Sequence, residues 1–587
     1  MSAAEIQRGA DSIGPAGSGW ITRHWAELLI ACAGVLVYLD SFQGAFVYDE
    51  INFITNNPTI RRLWPLWPTM LAPINVNRPL IGLTNAINYA ISGLNPWSYH
   101  AVNLIIHVAG ALALYGIVRR TLESGQLAGR FGKNATGLSA VVALIWMVHP
   151  LQTQSVTYVM QRCESLMGMF YLVTVYCSIR SLKSEKKNLW FAAAVTACAC
   201  GMLSKQVMVT APILVLLYDM SFAGLSIKEL LRRRWPLYAG LVATWGLLAG
   251  TIVAAPVNDT AGFAVRSISG LDYCKSEFAV IFYYLRLAFW PSPLCLDYSG
   301  WPQARGMAQV IPYAVGNGVL VAASIWAMVS RRPAGFLGLS FFLIISVSSS
   351  IMPFSDLVFE HRMYLPLAPL VALVVLTSYW AGERILQSLR NTIGVEGKRI
   401  ALVMATVVVV ILGFATARRN IDYRSRFTMW KDVVSKRPDN ARAHNNLGEI
   451  LAERNDMDRA TAEFYEAVRL NPRFFDAQFN LGNALAMAGQ FKEAEGHMIE
   501  ALRIDPEKLE AHFALGTILT VLGETKGSID EFGMVVKGKP DFAEAHRRLG
   551  LALEKEGRIA EAKEQYNAAL RLKPDWPGLR DHIGALQ

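Results

Sequence analysis

Residues 25–50 read WAELLIACAGVLVYLDSFQGAFVYDE. The apolar run from about Trp25 to Val47 is long enough to cross a bilayer, which takes about 20 residues in a helix. It is too long for the apolar core of a cleaved leader and reads as a signal anchor. Two carboxylates, Asp49 and Glu50, follow it directly. Acids at a membrane exit are usually solvated and inert. Here they open a long loop rich in Trp, Pro and Asn, and roughly ten more apolar segments follow. A base at that place meets whatever a lipid delivers.

Working outward, the chain divides by composition. It has 587 residues, of which 53% are hydrophobic and 17% charged, too apolar for one soluble domain. Apolar runs recur near 100–118, 137–150, 165–181, 189–203, 206–222, 235–255, 276–290, 309–330, 335–352, 364–382 and 400–417. The net charge of +10 does not indicate a nucleic-acid partner, because the basic residues cluster between apolar runs. Arg119, Arg120, Arg130 and Lys133 form one cluster; Arg180, Lys183, Lys186 and Lys187 the next; Arg232 to Arg234 a third; Arg331 and Arg332 a fourth; Arg384, Arg390, Lys398 and Arg399 a fifth. The positive-inside rule puts all five on the cytoplasmic side. That predicts eleven crossings with the N-terminus inside, provided 276–290 does not cross. The basic stretch Arg418, Arg419, Arg424 and Arg426 then lies outside, against the rule.

The expectation is an all-α chain. Residues 1–24 form a cytoplasmic tail and 25–417 a multi-span helical domain with a large outer loop, 47–99. Residues 418–438 form a connector and half repeat, and 439–587 a helical solenoid. The outer turns bring Asp49, Glu50, Arg78, His149, Arg162, Glu164, Lys205, Glu360, His361 and Arg362 to one membrane face. Cys274 and Cys295 border outer loops, which leaves a disulfide between them open. Asn258-Asp-Thr260 is a glycosylation sequon only in a eukaryotic lumen.

The solenoid is read from its period. Pro438, Pro472, Pro506, Pro540 and Pro574 stand 34 residues apart, and Leu-Gly pairs at 447, 481, 515 and 549 keep the same beat. Ala460, Ala494 and Ala562 share one position of the second helix; Phe464, Phe532 and Tyr566 share another. This is the tetratricopeptide pattern. Such arrays offer a concave groove to peptides or partner proteins. Asn446 and Asn480, one period apart, are the groove candidates, with two solvated amides as the alternative.

The ordered motifs FVYDEINFITNNP (46–58), NRPLIGLTNAINYAISGLNPWSYHAVNLIIHV (77–108), HPLQTQSVTYVMQRCESL (149–166), MLSKQ (202–206), PSPLCLDYSGWP (291–302) and FEHRMYLP (359–366) resemble the transmembrane and tetratricopeptide-repeat protein O-mannosyltransferases. The resemblance runs from about Trp25 through the repeats. That family is of the GT-C membrane type and uses lipid-phosphate sugars. Two departures keep their charge. Glu50 stands where Asp is frequent, and Gln161-Arg162-Cys163-Glu164 stands where Gly-Arg-Ala-Asp is frequent.

The resemblance implies inverting transfer of mannose or another monosaccharide from a polyprenyl (undecaprenyl or dolichyl) phosphate to a protein hydroxyl. Asp49 is the candidate base, and Glu50 orients it, holds the acceptor or helps bind a metal. Arg78, Arg162, Lys205 and Arg362 are candidates for the donor phosphate, and His149, Glu164, Glu360 and His361 for supporting roles. No ligand spacing demands a metal, and a divalent ion is compatible with the acids. The implied location is a bacterial inner membrane with periplasmic repeats, or the endoplasmic reticulum with luminal repeats. The partners are membrane lipid, the lipid-linked donor and a protein or peptide acceptor at the repeats. Two other readings are a cell-envelope glycan ligase or polymerase using a lipid-diphosphate oligosaccharide, and a non-enzymatic membrane-anchored scaffold.

Overall fold

The computed structural model describes residues 18–256, 262–265, 267–393 and 397–586. The sequon at 258–260 and the first 17 residues of the tail lie outside them. The described chain is all-α and falls into two compact units. One comprises residues up to 296 and 301–429, the other residues 297–300 and 430–587.

The first unit is a multi-pass membrane domain. Among the described residues five helices are long and apolar enough to cross a bilayer, or six if Leu127–Met147 and Pro150–Thr157, bent by 53°, count as one span. This is fewer than the eleven expected; helices Arg162–Ser181 and Leu367–Ile393 are long enough but not apolar enough, and the others fall short in length. Helices Ala135–Met147, Lys187–Met202, Ala211–Phe222 and Pro333–Ile345 have 13, 16, 12 and 13 residues. At about 1.5 Å per residue they fall short of a ~30 Å hydrocarbon core. Broken helices of this kind are tolerated where protein surrounds them. Segment 276–290 belongs to helix Gly270–Phe289, whose Asp272, Lys275, Glu277 and Arg286 keep it out of the apolar set.

The first apolar run also ends earlier than its hydropathy indicates. Its helix, Ser18–Tyr38, gives way to a 3-10 turn, Leu39–Gln43, and an extended stretch. Asp49 therefore sits eleven residues beyond the helix end.

The outer loop after it is folded rather than slack. It contains a π turn, Ile51–Thr55, a 3-10 turn, Pro58–Arg61, and helices Leu66–Leu71 and Pro79–Ser92. Ile54, Ile60, Ala86, Tyr99 and Val159 form its buried core. Asn57 caps the 3-10 turn by accepting from Thr59 N at 3.0 Å, and Thr69 Oγ1 donates to Thr59 O at 2.9 Å. Gly82 lets helix Pro79–Ser92 close on Asn75: a Cβ there would come within 2.8 Å of the Asn75 amide carbon. Trp64 and Trp67 stay exposed, as suits an interfacial belt.

The second unit pairs helices in the expected register: Ala441–Glu453 with Met457–Leu470, Phe475–Met487 with Phe491–Ile504, Leu509–Leu522 with Thr525–Gly538, and Ala543–Lys555 with Ile559–Leu572. The repeated Gly is needed for contact. A Cβ on Gly448, Gly482, Gly516 or Gly550 would lie 2.6 to 3.0 Å from Phe464, Met498, Phe532 or Tyr566. A polar clamp not read from the sequence also repeats. His444, Gln478, His512 and His546 each bond the carbonyl of the repeat's Pro, six residues earlier, and a side chain 19 residues later.

Candidate functional site

The polar turns of the membrane unit converge on one stretch, His149–Glu164. His149 starts it by capping the 3-10 turn Pro150–Gln152; its Nδ1 accepts from Leu151 N at 3.2 Å, and its Nε2 meets Ala288 O at 3.1 Å. Both ring nitrogens are thus committed to the fold. Helix Thr153–Thr157 and the turn Val159–Gln161 follow, then helix Arg162–Ser181.

The two acids part company at this stretch. Tyr48 adopts left-handed backbone (φ 51°), uncommon for a non-glycine residue. Glu50 is turned inward and 1% exposed. Its Oε2 accepts from Val47 N at 2.6 Å and its Oε1 from Met160 N at 3.2 Å. Asp49 is half-buried, and its backbone N–H donates to the Tyr158 hydroxyl at 3.2 Å. Glu50 thus ties the acidic turn to the stretch, and Asp49 is the less buried of the two acids.

Burial pushes the Glu50 carboxyl up to about 8, against the lowering effect of backbone hydrogen bonds from Val47, Met160 and Val159. The sign of the linkage follows. A carboxyl raised in the folded state from its ordinary 4.5 stabilises the fold while protonated, and that stability is lost as pH climbs from about 4.5 through about 8. Melting the detergent-solubilised protein from pH 5 to 9 is expected to show this decline in the wild type. The Glu50→Gln variant should show a flatter profile, and equal slopes would remove Glu50 from the titration.

The four cations divide in the same way. Arg162 is fully buried. It donates to Asn103 Oδ1 at 2.6 Å, Asn88 Oδ1 at 2.7 Å, Tyr99 O at 2.9 Å and Asn85 Oδ1 at 3.1 Å. Arg362 is buried too, donating to Leu357 O at 2.8 Å, Tyr273 Oη at 3.1 Å and Asp356 O at 3.2 Å, with Glu277 at 3.5 Å. Both guanidiniums spend donors inside the fold: Arg162 on neutral side-chain amides and one carbonyl, Arg362 on a hydroxyl, two loop carbonyls and the Glu277 carboxylate.

Arg78 and Lys205 differ. Arg78 makes one long contact, 3.5 Å to Cys163 Sγ, and its Nε has no partner among the described residues. Lys205 pairs with Glu164 and stays partly exposed. Leu80 N donates to Leu203 O at 3.2 Å, so the turns carrying Arg78 and Lys205 adjoin.

His361 completes this group. Its backbone N–H and its Nδ1 both meet Gln154 Oε1, at 2.8 and 3.1 Å. Burial lowers its pKa well below the ordinary value, helped by Lys205, Arg362 and Arg78 nearby. Glu360 pairs with Arg419 at 3.3 Å and accepts from Cys295 N at 2.6 Å. Arg419, read above as part of a basic stretch, is therefore a buried ion-pair partner. An apolar cleft of about 190 Å³ starts beside the same turns, lined by His149, Ala288, Leu367 and Leu412 among others.

The remaining candidates fare unevenly. Cys274 and Cys295 are both free thiols. Cys274 lies in the second turn of helix Gly270–Phe289, and Cys295 comes after its far end. Asn480 donates to Asn445 Oδ1 and Glu449 Oε1, both at 3.0 Å, while Asn446 Nδ2 is buried without a partner among the described residues. The repeat unit's large groove, about 1040 Å³, lies further along and is lined by Phe479, Phe491, Phe513 and Phe542. Among the described residues no three His, Cys, Asp or Glu side chains gather as a metal site needs.

Residues 76–249 match the family model of dolichyl-phosphate-mannose-protein mannosyltransferases. Residues 428–473, 475–508 and 543–576 match tetratricopeptide-repeat models. The chain resembles the transmembrane and tetratricopeptide-repeat O-mannosyltransferases. It is 26% identical to protein O-mannosyl-transferase TMTC4 of Homo sapiens, covering 74% of this chain and 65% of the relative. It is 22% identical to Tmtc3 of Drosophila melanogaster, covering 76% and 55%, and 25% identical to human TMTC1, covering 77% and 56%. The chain thus spans between half and two thirds of the length of these relatives. Among solved structures it is similar to YrrB, a TPR protein, with 24% identity and a TM-score of 0.26, covering 27% of this chain and 81% of that one. The family-model match contains the Arg78, Tyr158–Glu164 and Lys205 turns; Asp49 and His361 fall outside it.

Proposed function

We propose that this protein is an integral membrane glycosyltransferase. It moves a monosaccharide, mannose by analogy with its relatives, from a polyprenyl phosphate to a hydroxyl of a protein acceptor, with inversion. One observation carries the reading: within seven residues, Tyr158–Glu164, the chain touches Asp49, Glu50, Arg78 and Lys205. A base and two cations on one scaffold are what such a displacement needs.

The acceptor hydroxyl gives its proton to the Asp49 carboxylate as its oxygen attacks the anomeric carbon. The bond from that carbon to the phosphate oxygen breaks, and the electron pair leaves with the lipid phosphate. Arg78 and Lys205 stabilise that charge. Glu50 and Tyr158 hold the backbone on either side of Asp49, so the base is in place before substrate arrives. The apolar cleft beside Leu367 suits the lipid chain of the donor. The repeats bring the acceptor, and the aromatic groove is the better recruiting surface than the Asn446–Asn480 pair. A bacterial inner membrane with periplasmic repeats is the proposed setting.

The cation count favours a monophosphate donor over the diphosphate of a glycan ligase. With Arg162 and Arg362 committed to the fold, only Arg78 and Lys205 remain for the lipid phosphate. Competition tests this: polyprenyl-phosphate sugar is expected to compete for labelled donor, and a polyprenyl-diphosphate oligosaccharide is not. The reverse order would overturn the assignment. Arg78→Leu is expected to lower kcat/KM for the donor about 100-fold, the loss of a charge-assisted hydrogen bond of about 3 kcal/mol. An unchanged value would take Arg78 out of the phosphate site.

A further inference from the structure

The hydrogen bonds of Gln154 fix the protonation of His361. Gln154 Nε2 donates to Leu296 O at 3.1 Å, and Gln154 Oε1 accepts the His361 backbone N–H at 2.8 Å. A carbonyl only accepts and a backbone N–H only donates, so the amide has one orientation. Its Oε1 is therefore an acceptor for the ring, and His361 Nδ1, 3.1 Å away, carries the hydrogen. In the neutral ring that leaves Nε2 with a lone pair, and among the described residues His361 forms hydrogen bonds only through its backbone N–H, its backbone carbonyl and Nδ1. Burial and the cations Lys205, Arg362 and Arg78 all oppose a second proton.

A bare acceptor among cations is an odd element for a phosphate site. A phosphate oxygen brings only lone pairs and is repelled by another. A general base must accept a proton outright, which the cations resist. A hydroxyl, which donates without transferring its proton, suits the position. In a sugar phosphate, the hydroxyl nearest the phosphate is the one on the ring carbon next to the anomeric carbon.

We infer that His361 Nε2 accepts a hydrogen bond from the 2-hydroxyl of the donor sugar and so helps decide which sugar is transferred. The inference rests on the transferase reading above. It adds a sugar-recognition role that is separate from the base and from the phosphate cations. It predicts that an epimer with this hydroxyl on the opposite ring face is a poor donor, because Gln154 fixes the imidazole.

The test uses the full chain in detergent with two donors, polyprenyl-phosphate mannose and its 2-deoxy counterpart. Wild type is expected to lose about 10-fold in kcat/KM on the 2-deoxy donor, the scale of one neutral hydrogen bond. His361→Ala is expected to lose about 10-fold on the full donor and nothing further on the 2-deoxy donor. His361→Gln, whose amide oxygen reaches the place of Nε2, is expected to recover most of the loss. Equal loss by His361→Ala on both donors would make His361 structural and overturn the inference. So would a wild type indifferent to the 2-hydroxyl, a result that needs no variant to fold. Transfer by wild type from neither donor would overturn the transferase reading itself, and this inference with it.

Discussion

Asp49→Asn is expected to lower sugar transfer about 1000-fold while leaving the protein inserted and folded. The amide is nearly isosteric, and the Asp49 contact to Tyr158 is made by backbone, so the variant keeps that bond. What it loses is the group that takes the acceptor proton. General-base catalysis contributes about 100- to 10,000-fold. Glu50 is the neighbour in sequence, but both its oxygens are engaged by backbone N–H groups. The measurement is transfer from a lipid-phosphate sugar, with donor binding checked separately. The account expects donor affinity to be retained and kcat to collapse. Activity within a few-fold of wild type would remove Asp49 from the chemistry.

Arg162→Leu is expected to fail in a different way, through stability. Its guanidinium fills four acceptors carried by helix Pro79–Ser92 and helix Trp97–Leu122. Leucine would leave Asn85, Asn88 and Asn103 buried without their donor. Each such orphan costs about 1 to 3 kcal/mol, so a loss of at least about 3 kcal/mol is expected. Thermal unfolding of the solubilised protein measures it. Lysine offers one donor point instead of a planar fork, so Arg162→Lys should recover only part. A variant as stable as wild type that had lost donor binding would return Arg162 to the phosphate site.

The contrast shows what a sequence reveals and what it hides. The repeats were legible because their physics is local. A Gly that must meet an aromatic, and a Pro that ends a helix, recur at a fixed spacing, and Gly448 against Phe464 is that contact. Asp49 was legible as a charge at a membrane exit. The roles of Arg162 and Arg362 were not. The Arg162 partners are neutral amides and a carbonyl 59 to 77 residues away in sequence, and Arg362 is held by a hydroxyl, carbonyls and the Glu277 carboxylate. Tyr158 and Gln154 were missed for the same reason: an uncharged side chain in a turn gives no signal until the fold shows what it holds. Adjacency alone did not show that Glu50 turns inward, where it accepts from Val47 N and Met160 N, while Asp49 stays half-buried. Cys274 and Cys295 border neighbouring loops in sequence, yet both are free thiols, one within helix Gly270–Phe289 and the other past its end.

The most direct test is mass spectrometry of exported proteins from three cell lines: one with the intact chain, one without it, and one with Asp49→Asn. The account predicts a monosaccharide on Ser or Thr residues that is present with the intact chain and absent in the other two lines. The same glycans in all three would contradict it.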